Sequence, residues 1–283
     1  MQTVGSSGLT AMTTAQITAM ADSDFTSCAS LLGGVSGYSS DQETALANVA
    51  KRATVWGDPS TWSSSNIQQA GVIVQALTTT EIQSMTWTID EVSRMGDFDG
   101  WDETKKVAIV STWLSSAKSN DASTITASEL QSLSHMTCGL STAQISALTT
   151  YSSAADSVGE VTSCSEQQMV EFANLAKVIY TSNVASWSSV QIAAVGVHIG
   201  GLSQTEISTL TETQIDNISP AHITYMPSSA FSGLTVTQIG TLSTAQAQST
   251  TSTQRSALSS EQLTALETVS GISYSSTTSE NGK

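Results

Sequence analysis

The sequence predicts an all-α fold, a superhelical α-solenoid of short helices with two super-repeats of about 125 residues and a partial third. Three observations predict it. A nine-residue phrase recurs seven times, longer stretches repeat at shifts of 125 and 126 residues, and Ser/Thr rather than proline punctuates the chain.

The phrase reads large aliphatic, Ser/Thr, two free positions, Gln/Glu, Ile/Leu, two free positions, Leu/Met. It stands at 12–20, 77–85, 125–133, 140–148, 202–210, 234–242 and 258–266. Each copy predicts a helix start. The hydroxyl at the N-cap accepts from the N3 amide while Gln or Glu at N3 reaches back to the N-cap amide, as for Thr78 with Glu81 and Ser203 with Glu206. The flanking aliphatics, such as Leu77 and Ile82, form a hydrophobic staple, and Met85 lies on the same face. A β-solenoid is the competing reading, since Thr and Ile favour strands. The apolar anchors of LSTAQISAL fall at spacings of five and three rather than two, which favours the helix.

The longer period joins 41–51 (DQETALANVAK) to 167–177 (QQMVEFANLAK), and Trp62, Gly71 and Leu77 to Trp187, Gly196 and Leu202. It predicts a first helical super-repeat at 1–135, a second at 136–232, a partial repeat at 233–273 and a disordered tail at 274–283. Helices this short are marginal alone, so their apolar faces must stack on neighbours.

Charge excludes several functions. Charged residues are 12% of the chain, 9 Lys+Arg face 24 Asp+Glu, and the net charge is −15. No cationic surface exists to neutralise phosphates, so no nucleic-acid partner is expected. No apolar run reaches membrane-spanning length, and neither a signal peptide nor a lipid-anchor signal is expected in this segment.

The residues that could carry chemistry are few. His135, His198 and His222 have no Ser–Asp or Cys–Asn arrangement around them. His198 aligns with Ile73 of the first super-repeat, which marks a packing position. No catalytic residue, cofactor or enzymatic activity is expected. The densest acidic segment, GDFDGWDETKK at 96–106, offers Asp97, Asp99, Asp102 and Glu103 as a calcium candidate. The competing reading is a helix start, with Asp102 and Glu103 at the positive end of the dipole. Of three cysteines, Cys138 and Cys164 stand 26 residues apart, compatible with a disulfide clip or with burial as small hydrophobes; Cys28 is left over. Trp62 and Trp187 recur at one repeat position, which favours a structural anchor over a ligand surface. Asn217-Ile218-Ser219 is a glycosylation sequon.

The phrase, the Trp62/Gly71/Leu77 spacing with its echo at Trp187/Gly196/Leu202, and MTCGLSTAQISAL at 136–148 resemble the mesothelin, otoancorin and stereocilin family. The resemblance implies superhelical stacks of armadillo-like helices, an extracellular location, and a role in adhesion or in attaching cells to acellular gels. The expected function is a secreted, non-enzymatic structural or adhesive protein. Its partners would be itself, through end-to-end or lateral assembly, or matrix and glycoprotein partners. The alternative is a binding module that holds a glycan or a partner on a concave face.

Overall fold

The computed structural model describes residues 6–274, and the chain forms two compact units, Met1–Gln144 and Ile145–Lys283. The described residues form twenty-one α-helices and seven 3-10 helices, with no strand. The expected disordered tail lies outside them except for Tyr274. That residue donates its amide to Glu267 at 2.6 Å and packs its ring 4.3 Å from the Arg255 guanidinium.

All seven copies of the phrase open helices. At Thr78 the hydroxyl accepts from the Glu81 amide at 3.2 Å, and the Glu81 carboxylate accepts from the Thr78 amide at 2.8 Å. Leu77 and Ile82 are fully buried beside it, so the staple closes. Eight further boxes escape the phrase, capped by Ser39, Ser63, Thr88, Ser165, Ser188, Thr211, Ser243 and Thr251; in the first five Tyr38, Trp62, Trp87, Cys164 and Trp187 stand where it demands an aliphatic. Trp62 and Trp187 are thus staple residues, and each indole donates to a carbonyl just upstream, of Gly57 at 3.0 Å and Thr181 at 2.9 Å.

The period of about 125 residues divides in two. The helices Ser40–Ala50, Glu103–Lys118 and Glu166–Ile179 start 63 residues apart. Each is followed by a short 3-10 turn, a seven-residue helix, a six-residue 3-10 helix and another capped helix. The seven-residue helix passes into 3-10 at Gly71, Ser134 and Gly196, whose φ/ψ values of 48/−121, 47/−128 and 57/−128 are nearly identical. At two of the three positions this backbone also touches another glycine. A Cβ on Gly71 would sit 2.2 Å from the Gly33 carbonyl oxygen, and one on Gly196 2.3 Å from that of Gly159. Positive φ and backbone-to-backbone contact together require glycine there.

From Ser203 onward a shorter period takes over. The N-caps Ser203, Thr211, Ser219, Pro227, Thr235, Ser243, Thr251 and Ser259 follow one another every eight residues. Each short helix packs on the one three octads earlier, and the capping glutamine ties it to the end of the helix one octad further back. Its oxygen closes its own box, while its nitrogen donates to two carbonyls at the end of the earlier helix. Gln238 reaches Ile207 and Leu210 at 3.0 and 2.8 Å, Gln246 reaches Ile215 and Ile218 at 2.8 Å each, and Gln254 reaches Ile223 and Met226 at 2.6 and 2.7 Å. Helix ends leave carbonyls without partners, and one carboxamide here serves one helix start and one helix end. Within Ile145–Lys283 this is a solenoid whose turn takes between three and four octads. In Met1–Gln144, Gln42 does the same toward Thr10 and Met12, at 2.8 and 2.6 Å.

Where N3 is glutamate the nitrogen is missing, and at three of the four such caps a lysine supplies the donor. Lys51 pairs with Glu81 at 3.0 Å, Lys118 with Glu129 at 2.7 Å and Lys177 with Glu206 at 2.9 Å. The lysine and the cap amide together hold these carboxyls below their ordinary range, against the opposing effect of burial.

Candidate functional site

The acidic segment divides among separate tasks. Asp102 caps the Glu103–Lys118 helix, accepting from the Thr104 amide at 2.9 Å, with Glu103 in the first turn. The Thr104 hydroxyl and amide hold the Asp102 carboxyl below its ordinary value. Asp97 ends the preceding helix and pairs with Arg94 at 3.3 Å. Asp99 is almost fully exposed, 3.4 Å from the His135 ring. Among the described residues no three His, Cys, Asp or Glu side chains converge as metal ligands do.

The same segment borders a cleft of about 570 Å³ within Met1–Gln144. One side is the loop after helix Asp22–Gly33, with Tyr38. Beside it stand Glu43 from helix Ser40–Ala50, Gln75 from a 3-10 helix, and Arg94, Asp97 and Phe98. Gln75 holds the loop by donating to the Asp99 carbonyl at 2.8 Å, and the Arg94 guanidinium lies 4.6 Å over the Phe98 ring. Tyr38 is 9% exposed, and its hydroxyl has no hydrogen-bond partner. Burial pushes that phenol up to about 12. Burial also raises the Glu43 carboxyl, with Lys105 opposing it.

The other candidates lie apart. His198 is fully buried and stacks 4.3 Å from Phe172, with no partner on either ring nitrogen. Burial, aided by the positive potential of His222, lowers its pKa to about 3, so the ring is neutral at ordinary pH. Ile73 and Met136 fill the equivalent 3-10 segments and are equally buried. His222 sits 3.3 Å from Glu160. Cys28 is a free, buried thiol, and Cys138 and Cys164 are also buried. Asn217 is exposed at the end of helix Glu212–Asp216, its amide donating to the Thr213 carbonyl at 2.8 Å.

Tyr38, Glu43 and Gln75 escaped the reading of the sequence, since no spacing rule joins residues from three separate elements. The capping glutamines were read as closing their own boxes, and their second bond has no local signal. Their recurrence at 238, 246, 254 and 262, every eight residues, was visible and points to it.

No family model matches the chain. Mouse stereocilin is 28% identical over 220 residues, which is 75% of this chain and 12% of the relative. Human stereocilin and a putative human stereocilin-like protein are each 27% identical over 219 residues, with the same shares. The chain is related to the stereocilin-like proteins and corresponds to a small part of their length. No helix among the described residues is long and apolar enough to cross a membrane.

Proposed function

We propose that this chain is a non-enzymatic structural or adhesive protein of the extracellular space, presenting repeated helical surface to itself or to matrix and glycoprotein partners. One observation carries the reading: apart from the buried His198 ring and the cleft groups Tyr38 and Glu43, the polar side chains that could do chemistry are largely occupied in holding helices together. The capping glutamines bridge successive turns. Lys51, Arg52, Arg94, Lys118 and Lys177 are in ion pairs, Lys105 and Arg255 donate to the Gln75 and Thr250 carbonyls, and Lys106 is buried. What faces outward is largely Ser and Thr. The relationship to stereocilin supports the same reading.

A charge-poor surface repels its copies weakly, and repeated units favour head-to-tail growth. Light scattering on size-exclusion peaks over a wide concentration range tests this. Mass that grows with concentration supports self-assembly; a monomer throughout leaves adhesion to other molecules. Two covalent features go with the proposal, a Cys138–Cys164 disulfide formed in an oxidising compartment and a glycan on the exposed Asn217. The cleft beside Glu43 favours a second reading, a binding module. A glycan array and extracellular-protein binding screens distinguish it from a purely structural role.

A further inference from the structure

We infer that the cleft between Tyr38, Glu43 and the Asp97–Asp99 loop receives one basic side chain, the ammonium of a lysine or the guanidinium of an arginine, presented by a different protein. Two polar groups in it are built without hydrogen-bond partners. The Tyr38 hydroxyl is buried and bonds to nothing, and the Glu43 carboxylate, half-buried on the adjoining helix, takes no hydrogen bond. Burying such groups unpaired is costly, and a donor that bridges both removes the cost. A cationic N–H donor is the chemical complement of both oxygens, the phenol as a neutral acceptor and the carboxylate as an ionic one.

The charge balance sets the ligand's charge. Glu43, Asp97 and Asp99 face Arg94 and, just outside the lining, Lys105, with the His135 ring beside the exposed Asp99. Arg94 is committed to Asp97 and to the Phe98 ring, and Lys105 donates to the Gln75 carbonyl. One carboxylate remains in excess, which suits a single positive charge. The volume of about 570 Å³ admits the end of one long side chain with part of its backbone. A second copy of this chain is a poor donor. The eight lysines and arginines within the described residues are already engaged or buried. With none of the described cations free, we assign the basic residue to another protein, and the inference stands whether or not the chain assembles with itself.

The test is titration of the intact chain with Nα-acetyl-lysine methylamide and Nα-acetyl-arginine methylamide, followed by NMR shifts and calorimetry. The neutral Nα-acetyl-norleucine methylamide is the control. Binding of a cationic probe, at least tenfold weaker in Glu43→Gln and severalfold weaker in Tyr38→Phe, is expected, with Asp41→Asn on the same helix unchanged. Melting curves confirm that each variant folds. No cationic binding up to tens of millimolar, equal binding of norleucine, or indifference to Glu43→Gln would each overturn it.

Discussion

Replacing Gln246 by glutamate separates the two jobs of a capping glutamine. Gln246 is 2% exposed; its oxygen accepts from the Ser243 amide at 2.8 Å and its nitrogen donates to the Ile215 and Ile218 carbonyls at 2.8 Å each. Glutamate keeps the first bond and turns a bare oxygen toward both carbonyls. The Ile215 carbonyl still accepts from the Ile218 amide at 3.0 Å, so the loss falls mainly on Ile218. Two hydrogen bonds at about 1 kcal/mol each, with about 1–3 kcal/mol for a stranded carbonyl, come to about 3–5 kcal/mol. That is a large part of the roughly 5–15 kcal/mol that holds a domain together. The introduced carboxyl, buried and facing carbonyls, titrates above the value of about 4.3 it has in an unfolded chain. The folded variant then binds more protons than the unfolded one between those two values. Stability is greatest below about pH 4.3 and falls as pH rises through the raised folded pKa. Urea unfolding at pH 4 and pH 7 reads this directly. The expected result is the full loss at pH 7 and a smaller one at pH 4. Adding Asn217→Lys, placed 29 residues upstream as Lys177 is from Glu206, should restore part of the neutral-pH loss. A loss independent of pH, or none, refutes the double role.

Gly196→Ala places a Cβ 2.3 Å from the Gly159 oxygen at a φ of +57, and should cost about 3 kcal/mol or more; Gly240→Ala, in a helix with open space around it, should be neutral or stabilise by about 0.5–1 kcal/mol in the same melts. His198, whose folded pKa of about 3 lies below its unfolded value of 6.5, withdraws stability as pH falls from about 6.5 toward 3, so His198→Ile should flatten the acid limb of a pH–stability curve. Calorimetric scans with millimolar calcium should match scans with chelator, since Asp97, Asp99 and Asp102 are oriented to Arg94, His135 and Thr104. Proteolytic mapping without reductant should yield one cross-linked species containing Cys138 and Cys164, with Cys28 alkylated only after unfolding.

Helix starts could be read from the sequence because a capping box lies within four residues, and its chemistry does not depend on what packs around it. The true module length was masked because the middle copy changes in concert. Trp62 and Trp187 become Ile125, Gly71 and Gly196 become Ser134, Lys51 and Lys177 become Leu114, and Glu81 and Glu206 become Gln144. Only the first and third copies match residue by residue, so the visible period is two modules long. These exchanges are not independent. A glutamate cap has a spare oxygen that needs a donor, which Lys51 and Lys177 supply. A glutamine cap carries its own donor, and a leucine can then occupy the lysine's place in the core. The cleft was not legible, because Tyr38, Glu43 and Asp97 meet only once three helices have packed.

The composition of the chain follows from the same joints. A helical array needs a donor at every helix end and an acceptor at every start, a need that charged residues commonly meet in pairs. Here Gln238, Gln246 and Gln254 supply both from one neutral side chain, and Ser or Thr completes each box. At these joints a lysine is then called for where glutamate replaces glutamine. Three of the five lysines within the described residues stand at such caps, opposite Glu81, Glu129 and Glu206. At Thr88 even that is avoided, because the Ser64 hydroxyl donates to the capping Glu91. Stacking through carboxamides thus fits a charged fraction of only 12%. The weak self-repulsion of the surface follows from how the interior is joined.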